Sequence, residues 1–191
     1  MTAAAAVFAE QGLAKASVAA ILARCHVGRG TFYRCFANLE DAFMAVQHEA
    51  VRRLYAHVLS RVADCTEPEH QLAAGISAYF EALVVLGDFA RVVYVERPNL
   101  EAHRDLRKAS LEQFMELFRR GLVQAHSAGL IESVPDDLAI YAVVNGLEAV
   151  AMRLLENGFD PEQRARAEQT LIEVCIRALC VPVDEPPPAH S

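Results

Sequence analysis

The stretch V-G-R-G-T-F-Y-R-C-F, Val27 to Phe36, decides how this chain is read. Gly28 and Gly30 bracket Arg29 and allow a tight turn before a helix containing Thr31, Phe32, Tyr33 and Phe36. Phe32 and Phe36 stand four apart and share one face, which is expected to be buried. Arg29, Thr31, Tyr33 and Arg34 fall towards the other side. They offer two cations and two hydroxyls, groups suited to phosphate oxygens and base edges.

Upstream, Ser17 is placed to cap a short helix from Val18 to Cys25, with Val18, Ile21 and Leu22 on its apolar side. Only His26-Val27-Gly28 separates that helix from the next, and Val27 is expected to plug the corner. Two helices of about two turns joined so briefly form the helix-turn-helix pattern, here over about residues 17–36. Before it, Ala3 to Gln11 reads as a helix carrying Val7 and Phe8, closed at Gly12 in the left-handed conformation. Three small helices around Phe8, Ile21, Phe32 and Phe36 make a head.

From Phe8 to Phe43 the chain resembles the TetR-type transcriptional regulators. The residues that carry the likeness are F-A-E-Q-G at Phe8–Gly12, S-V-A-A-I at Ser17–Ile21, Val27–Phe36 itself, and the N-x-E-D-x-F run from Asn38 to Phe43. The resemblance implies a DNA-binding domain over residues 1–46. Its contacts to double-stranded DNA would come from Ser17, Arg29, Gly30, Thr31, Tyr33 and Arg34. The chain departs from the family pattern at Cys25-His26 (for Ala-Gly), Gly28 (for Ser or Thr), Cys35 (for His or Tyr) and Leu39 (for Lys). A basic arm like the family's would lie upstream of Met1.

The charge distribution agrees with a head that meets an anion. The chain carries −7 overall, whereas residues 1–44 hold Lys15, Arg24, Arg29 and Arg34 against Glu10, Glu40 and Asp41. The head is therefore the only part that is not acidic, and a modest, salt-sensitive affinity is expected. Five cysteines without ligand spacing argue against a disulfide framework, and Cys25 and Cys35 read as small core fillers. No run of 18 uninterrupted apolar residues occurs, so a cytoplasmic protein with no membrane partner is expected.

The remainder reads as helices only, an all-α body over residues 47–181 followed by a disordered tail at 182–191 with Pro186-Pro187-Pro188. A long helix from Leu39 to about Ala63 bridges head and body. Thr66-Glu67-Pro68-Glu69 opens the next helix with a capping box. Gly87-Asp88 interrupts it, a short helix from about Phe89 stops before Pro98, and another runs from about Asn99 to Ala128. From Leu138 to Met152 only Asn145 and Glu148 are strongly polar, so that helix needs cover on nearly every side. Packing it, together with the final helix from Pro161 to about Cys180, against a second copy would supply the cover and make a homodimer. A monomer with this helix at its centre is the alternative.

The resemblance further implies an effector pocket in the body, for which Phe80, Leu83, Phe89, Tyr94, Phe114, Phe118, Tyr141 and Asn145 are the candidates. Aromatics at helical spacing also fill plain cores; Asn145, a lone amide in an apolar stretch, needs a partner if buried. No catalytic residue, metal or cofactor is expected. The chain has no G-x-S-x-G, Walker loop or H-E-x-x-H, and its single Glu-x-x-His, Glu67 to His70, cannot hold a di-iron centre. The reading is a non-enzymatic, dimeric, ligand-responsive regulator, a repressor released from a near-palindromic operator by a small apolar or amphipathic effector. A small-molecule-binding or protein-interaction module without DNA affinity is the competing one.

Overall fold

Helices α1 (Thr2–Gln11), α2 (Val18–Cys25), α3 (Arg29–Cys35) and α4 (Leu39–Asp64) lead into α5 (Pro68–Leu86), α6 (Asp88–Tyr94), α7 (Glu101–Ser127), α8 (Asp137–Glu156) and α9 (Pro161–Leu179). The computed structural model describes residues 1–65, 68–95 and 100–179, and no strand occurs among them. Thr66-Glu67, Pro98 and the tail at 182–191 lie outside the described residues.

Local chemistry sets the boundaries. The Ser17 hydroxyl accepts the Ala20 amide at 3.1 Å and opens α2. Asn38 Oδ1 accepts the Asp41 amide at 2.8 Å, while Asp41 Oδ2 accepts that of Ala37, so the two side chains hold the start of α4 reciprocally. Asp136 opens α8 through the Ala139 amide. Caps of this kind stabilise a helix by about 1 kcal/mol each. Gly12 ends α1 at φ 70, ψ 164, an extended left-handed geometry open almost only to glycine rather than the helical left-handed one expected.

A continuous set of buried side chains runs from head to body. Phe8 of α1 and Phe43 of α4 are fully buried and meet edge to face at 5.1 Å, an arrangement worth about 0.5–1.5 kcal/mol beyond burial. α1 also packs on α6, and α4 lies along α5, α6 and α7. Arg91 of α6 reaches the Leu155 carbonyl of α8 at 2.9 Å, and Arg53 of α4 lies 4.8 Å above the Phe89 ring.

α8 is long and apolar enough to cross a bilayer by length and composition. Its own residues account for that apolarity, since Ile140, Val143, Val144, Leu147, Ala151, Leu154 and Leu155 are core. Leu138 (77% exposed), Tyr141, Ala142 and Ala149 form a second stripe that nothing among the described residues covers. The expectation of cover on all sides is thus met on one side only within a single chain. On α9, Val174, Ile176 and Ala178 are likewise exposed.

Candidate functional site

Gly28 precedes α3 as its N-terminal cap, and its φ of −79 is ordinary extended backbone. Neither Gly28 nor Gly30 needs a positive φ; the left-handed residue of the turn is His26, at φ 54, which closes α2. The two glycines have another effect. A Cβ at either would meet nothing within 4 Å, so they leave the outer surface of the turn and first helical residues bare for close approach by a partner. Val27 is 40% exposed and does not plug the corner, because Ile21 and Phe32 are the buried side chains there. Cys25 is half-buried and bonds the Ile21 carbonyl, but Cys35 is exposed and fills no core.

Arg29, Gly30, Tyr33 and Arg34 all lie on the exposed side of α3, with Thr31 half-buried beside them. Tyr33 is 53% exposed, and its ring stands edge-on to Phe32 at 5.3 Å, which fixes its direction from beneath. Ser17, by contrast, spends its side chain on the cap. Arg24 is gripped at both terminal nitrogens by Glu10, at 2.8 and 2.7 Å, so it braces α2 to α1. Lys15, Arg29 and Arg34 make no hydrogen bond or ion pair among the described residues.

The body encloses a cavity of about 370 Å³, within the range of small-molecule sites. Of the candidates named from sequence, Tyr94, Phe114 and Phe118 line it. Phe80 and Leu83 do not line it and are buried in plain core, and Phe89 packs under Arg53. Tyr141 is 47% exposed on the uncovered stripe of α8, and Asn145 donates to the Tyr141 carbonyl of its own helix at 2.8 Å. The lone amide therefore finds its partner locally and needs no ligand.

The cavity's polar groups are ones the sequence reading passed over. Gln47, 1% exposed, donates its amide to the Val92 carbonyl at 3.1 Å and faces His103 Nδ1 at 2.8 Å with its oxygen. Its NH2 is committed to a carbonyl, so His103 Nδ1 carries the hydrogen and donates. Tyr79 donates to the Tyr94 hydroxyl at 2.8 Å, and burial pushes both phenols upward, so both stay protonated. Arg107 of α7 is ion-paired with Glu148 of α8 at 2.5 Å. Two buried side-chain atoms on the cavity wall lack a partner among the described residues: Arg107 Nη1 and Gln71 Oε1. A signal existed for the pair, since a carboxylate in an apolar helix needs a counter-charge and Arg107 falls on the inward stripe of Ser110 and Phe114.

A helix-turn-helix head whose fourth helix forms a wall of an internal cavity defines an all-helical, ligand-accommodating class of helix-turn-helix protein. Residues 1–46 match the family model for bacterial regulatory proteins of the tetR family. Over the whole chain the likeness is one of fold. A transcriptional regulator FadR from Bacillus subtilis, solved in complex with stearoyl-CoA, is 22% identical with a TM-score of 0.80, covering 93% of this chain and 96% of that one. The fatty acid degradation regulator FadR from Bacillus halodurans is 23% identical with a TM-score of 0.78, covering 90% and 91%. A TetR-like transcriptional regulator from Rhodococcus sp. RHA1 is 20% identical with a TM-score of 0.70, covering 92% and 91%. No curated protein matches in sequence.

Proposed function

We propose that the chain is a ligand-responsive DNA-binding transcriptional regulator that works as a homodimer in the cytoplasm. α3 reads the major groove through Arg29, Gly30, Thr31, Tyr33 and Arg34, and Ser17 holds the supporting helix in place. The observation that carries the reading is the path of α4, which starts under the head at Asn38 and passes Gln47 and Val51 into the cavity wall. An occupant of the cavity touches the same rigid element that carries the head, so occupancy and head position are mechanically linked.

The uncovered stripes of α8 and α9 support pairing of two copies through these helices. Two-fold pairing presents two α3 helices to a near-palindromic operator. The mostly apolar cavity wall suits an apolar or amphipathic effector that releases the DNA, which makes the protein a repressor. The stearoyl-CoA complex of the Bacillus subtilis FadR supports an effector with a long aliphatic part.

An electrophoretic shift on DNA flanking the protein's own gene tests this. The wild type is expected to give a salt-sensitive shift, and the combined Arg29→Ala and Tyr33→Ala variant to bind about 100-fold more weakly. An unchanged shift in that variant, or none in the wild type, refutes the reading; the second result favours a binding module without DNA affinity.

A further inference from the structure

We infer that the cavity selects an aliphatic compound whose polar end is an uncharged carbonyl acceptor, such as an ester, thioester, amide or ketone, in preference to a carboxylate. This rests on the reading of the cavity as the effector site and specifies the chemistry of its occupant.

α7 lines the cavity from His103 to Ala125, roughly 33 Å of helix. Its polar contributions, His103, Arg107 and Ser110, all come from the first part, and from Leu111 onward the lining is apolar. An occupant that follows this wall has one polar end and an aliphatic remainder. The polar end meets Arg107, whose Nη1 is buried and holds a hydrogen for which no acceptor exists among the described residues. A solitary guanidinium would draw a carboxylate. This one is already neutralised, because its other terminal nitrogen is bound to Glu148. A second anion would lose its water and sit beside the Glu148 charge, and both effects oppose it.

A carbonyl oxygen takes the free hydrogen without bringing a charge. The Tyr79–Tyr94 pair points the same way. Both hydroxyls are protonated and share one hydrogen bond, so one hydroxyl hydrogen is left over for the second lone pair of such an oxygen. Tyr79, Tyr94, Arg107 and Glu148 all line the cavity. The other unpartnered atom on the wall, Gln71 Oε1, is an acceptor and gives a carboxylate nothing to bind. An ammonium head fares no better, since Glu148 is already engaged and Arg107 repels it.

Titration calorimetry on the full chain without DNA tests the inference, using methyl octanoate, octanoate and octylamine as probes. Methyl octanoate is expected to bind about tenfold or more tightly than octanoate, with octylamine weaker still. Glu148→Gln leaves Arg107 uncompensated and is expected to reverse the order, so that octanoate binds more tightly than its methyl ester. A wild type that prefers octanoate, that binds none of the three, or whose order survives Glu148→Gln in a variant with unchanged helical circular dichroism overturns the inference. Should that variant fail to fold, the wild-type order decides alone. Affinities are read on the protein by itself, so a missing operator shift and a wrong ligand order are separate failures of separate claims.

Discussion

The outer face of α3 and the inner face of α7 handle polar side chains in opposite ways. On α3, Arg29 and Arg34 stand in solvent with no partner among the described residues, beside a half-exposed Tyr33 and two glycines that leave the surface bare. On α7, His103 and Arg107 are committed to Gln47 and Glu148 across helix interfaces. Water satisfies the first group at little cost, so those side chains stay available for exchange with phosphate. The interior cannot leave a charge or donor unpaired cheaply, so each polar group there arrives with its partner, and the few atoms left over define what an occupant must supply. A surface meant for a polyanion and a cavity meant for a neutral amphiphile thus differ less in residue type than in whether the charges are already spent.

Phe43→Ala is the largest test of how separate these regions are, because this side chain belongs to α4 and packs on Phe8. It is expected to destabilise the protein by about 3–5 kcal/mol in urea unfolding. Head and body signals should move together; a shift confined to the head would show that the two regions melt independently. Gln47→Leu strips the Val92 carbonyl and the His103 Nδ1–H of their shared partner and should cost about 1–3 kcal/mol. A variant as stable as wild type would mean that the interior does not depend on its pairing as argued. His26→Gly removes a side chain from a left-handed residue and should stabilise the turn by about 1 kcal/mol, visible as a higher melting temperature.

The smallest effect concerns a surface cluster. Arg52 and Arg53 hold the Glu49 carboxyl down from the usual 4.5 to about 2. Its folded value lies below its unfolded one, so its contribution to stability is complete above pH 4.5 and fades as the pH falls towards 2. An NMR titration should find Glu49 still ionised near pH 3; titration at an ordinary carboxylate value would show that the fork geometry is absent in solution.

Much of the fold was legible because its signals are local. Val18–Cys25 follows from a Ser cap and a three-residue connection, and α4 follows from a long apolar stripe. α8 was recognised but read short, since its final turn carries Arg153 and Glu156, which polarity alone does not separate from a loop. The outward group on α3 was legible for the same reason, as spacing within one helix sorts its faces. The cavity was not. Gln47 and His103 are 56 residues apart and Arg107 and Glu148 lie on different helices, so their meeting depends on how helices cross. Apolar residues at helical spacing include Tyr94, Phe114 and Phe118, which line the cavity, and Phe80, Leu83 and Phe89, which do not, because an apolar side chain lining a cavity and one in plain core look alike in sequence. Tyr141 and Asn145 fall outside the cavity because the polarity of α8 does not tell which of its faces turns to the cavity and which to the uncovered side.

The unbroken course of α4 from Leu39 to Asp64 has a practical consequence for chimeras. Head and cavity wall are two stretches of one helical screw, so a head grafted from another protein must be joined in phase. Inserting one residue between Phe43 and Gln47 would turn the head by about 100° and lift it by about 1.5 Å, whereas inserting seven would bring it back to within about 20° of its bearing at a greater height. A series of such insertions would measure how much angular error a pair of heads tolerates before they no longer match the two halves of one operator.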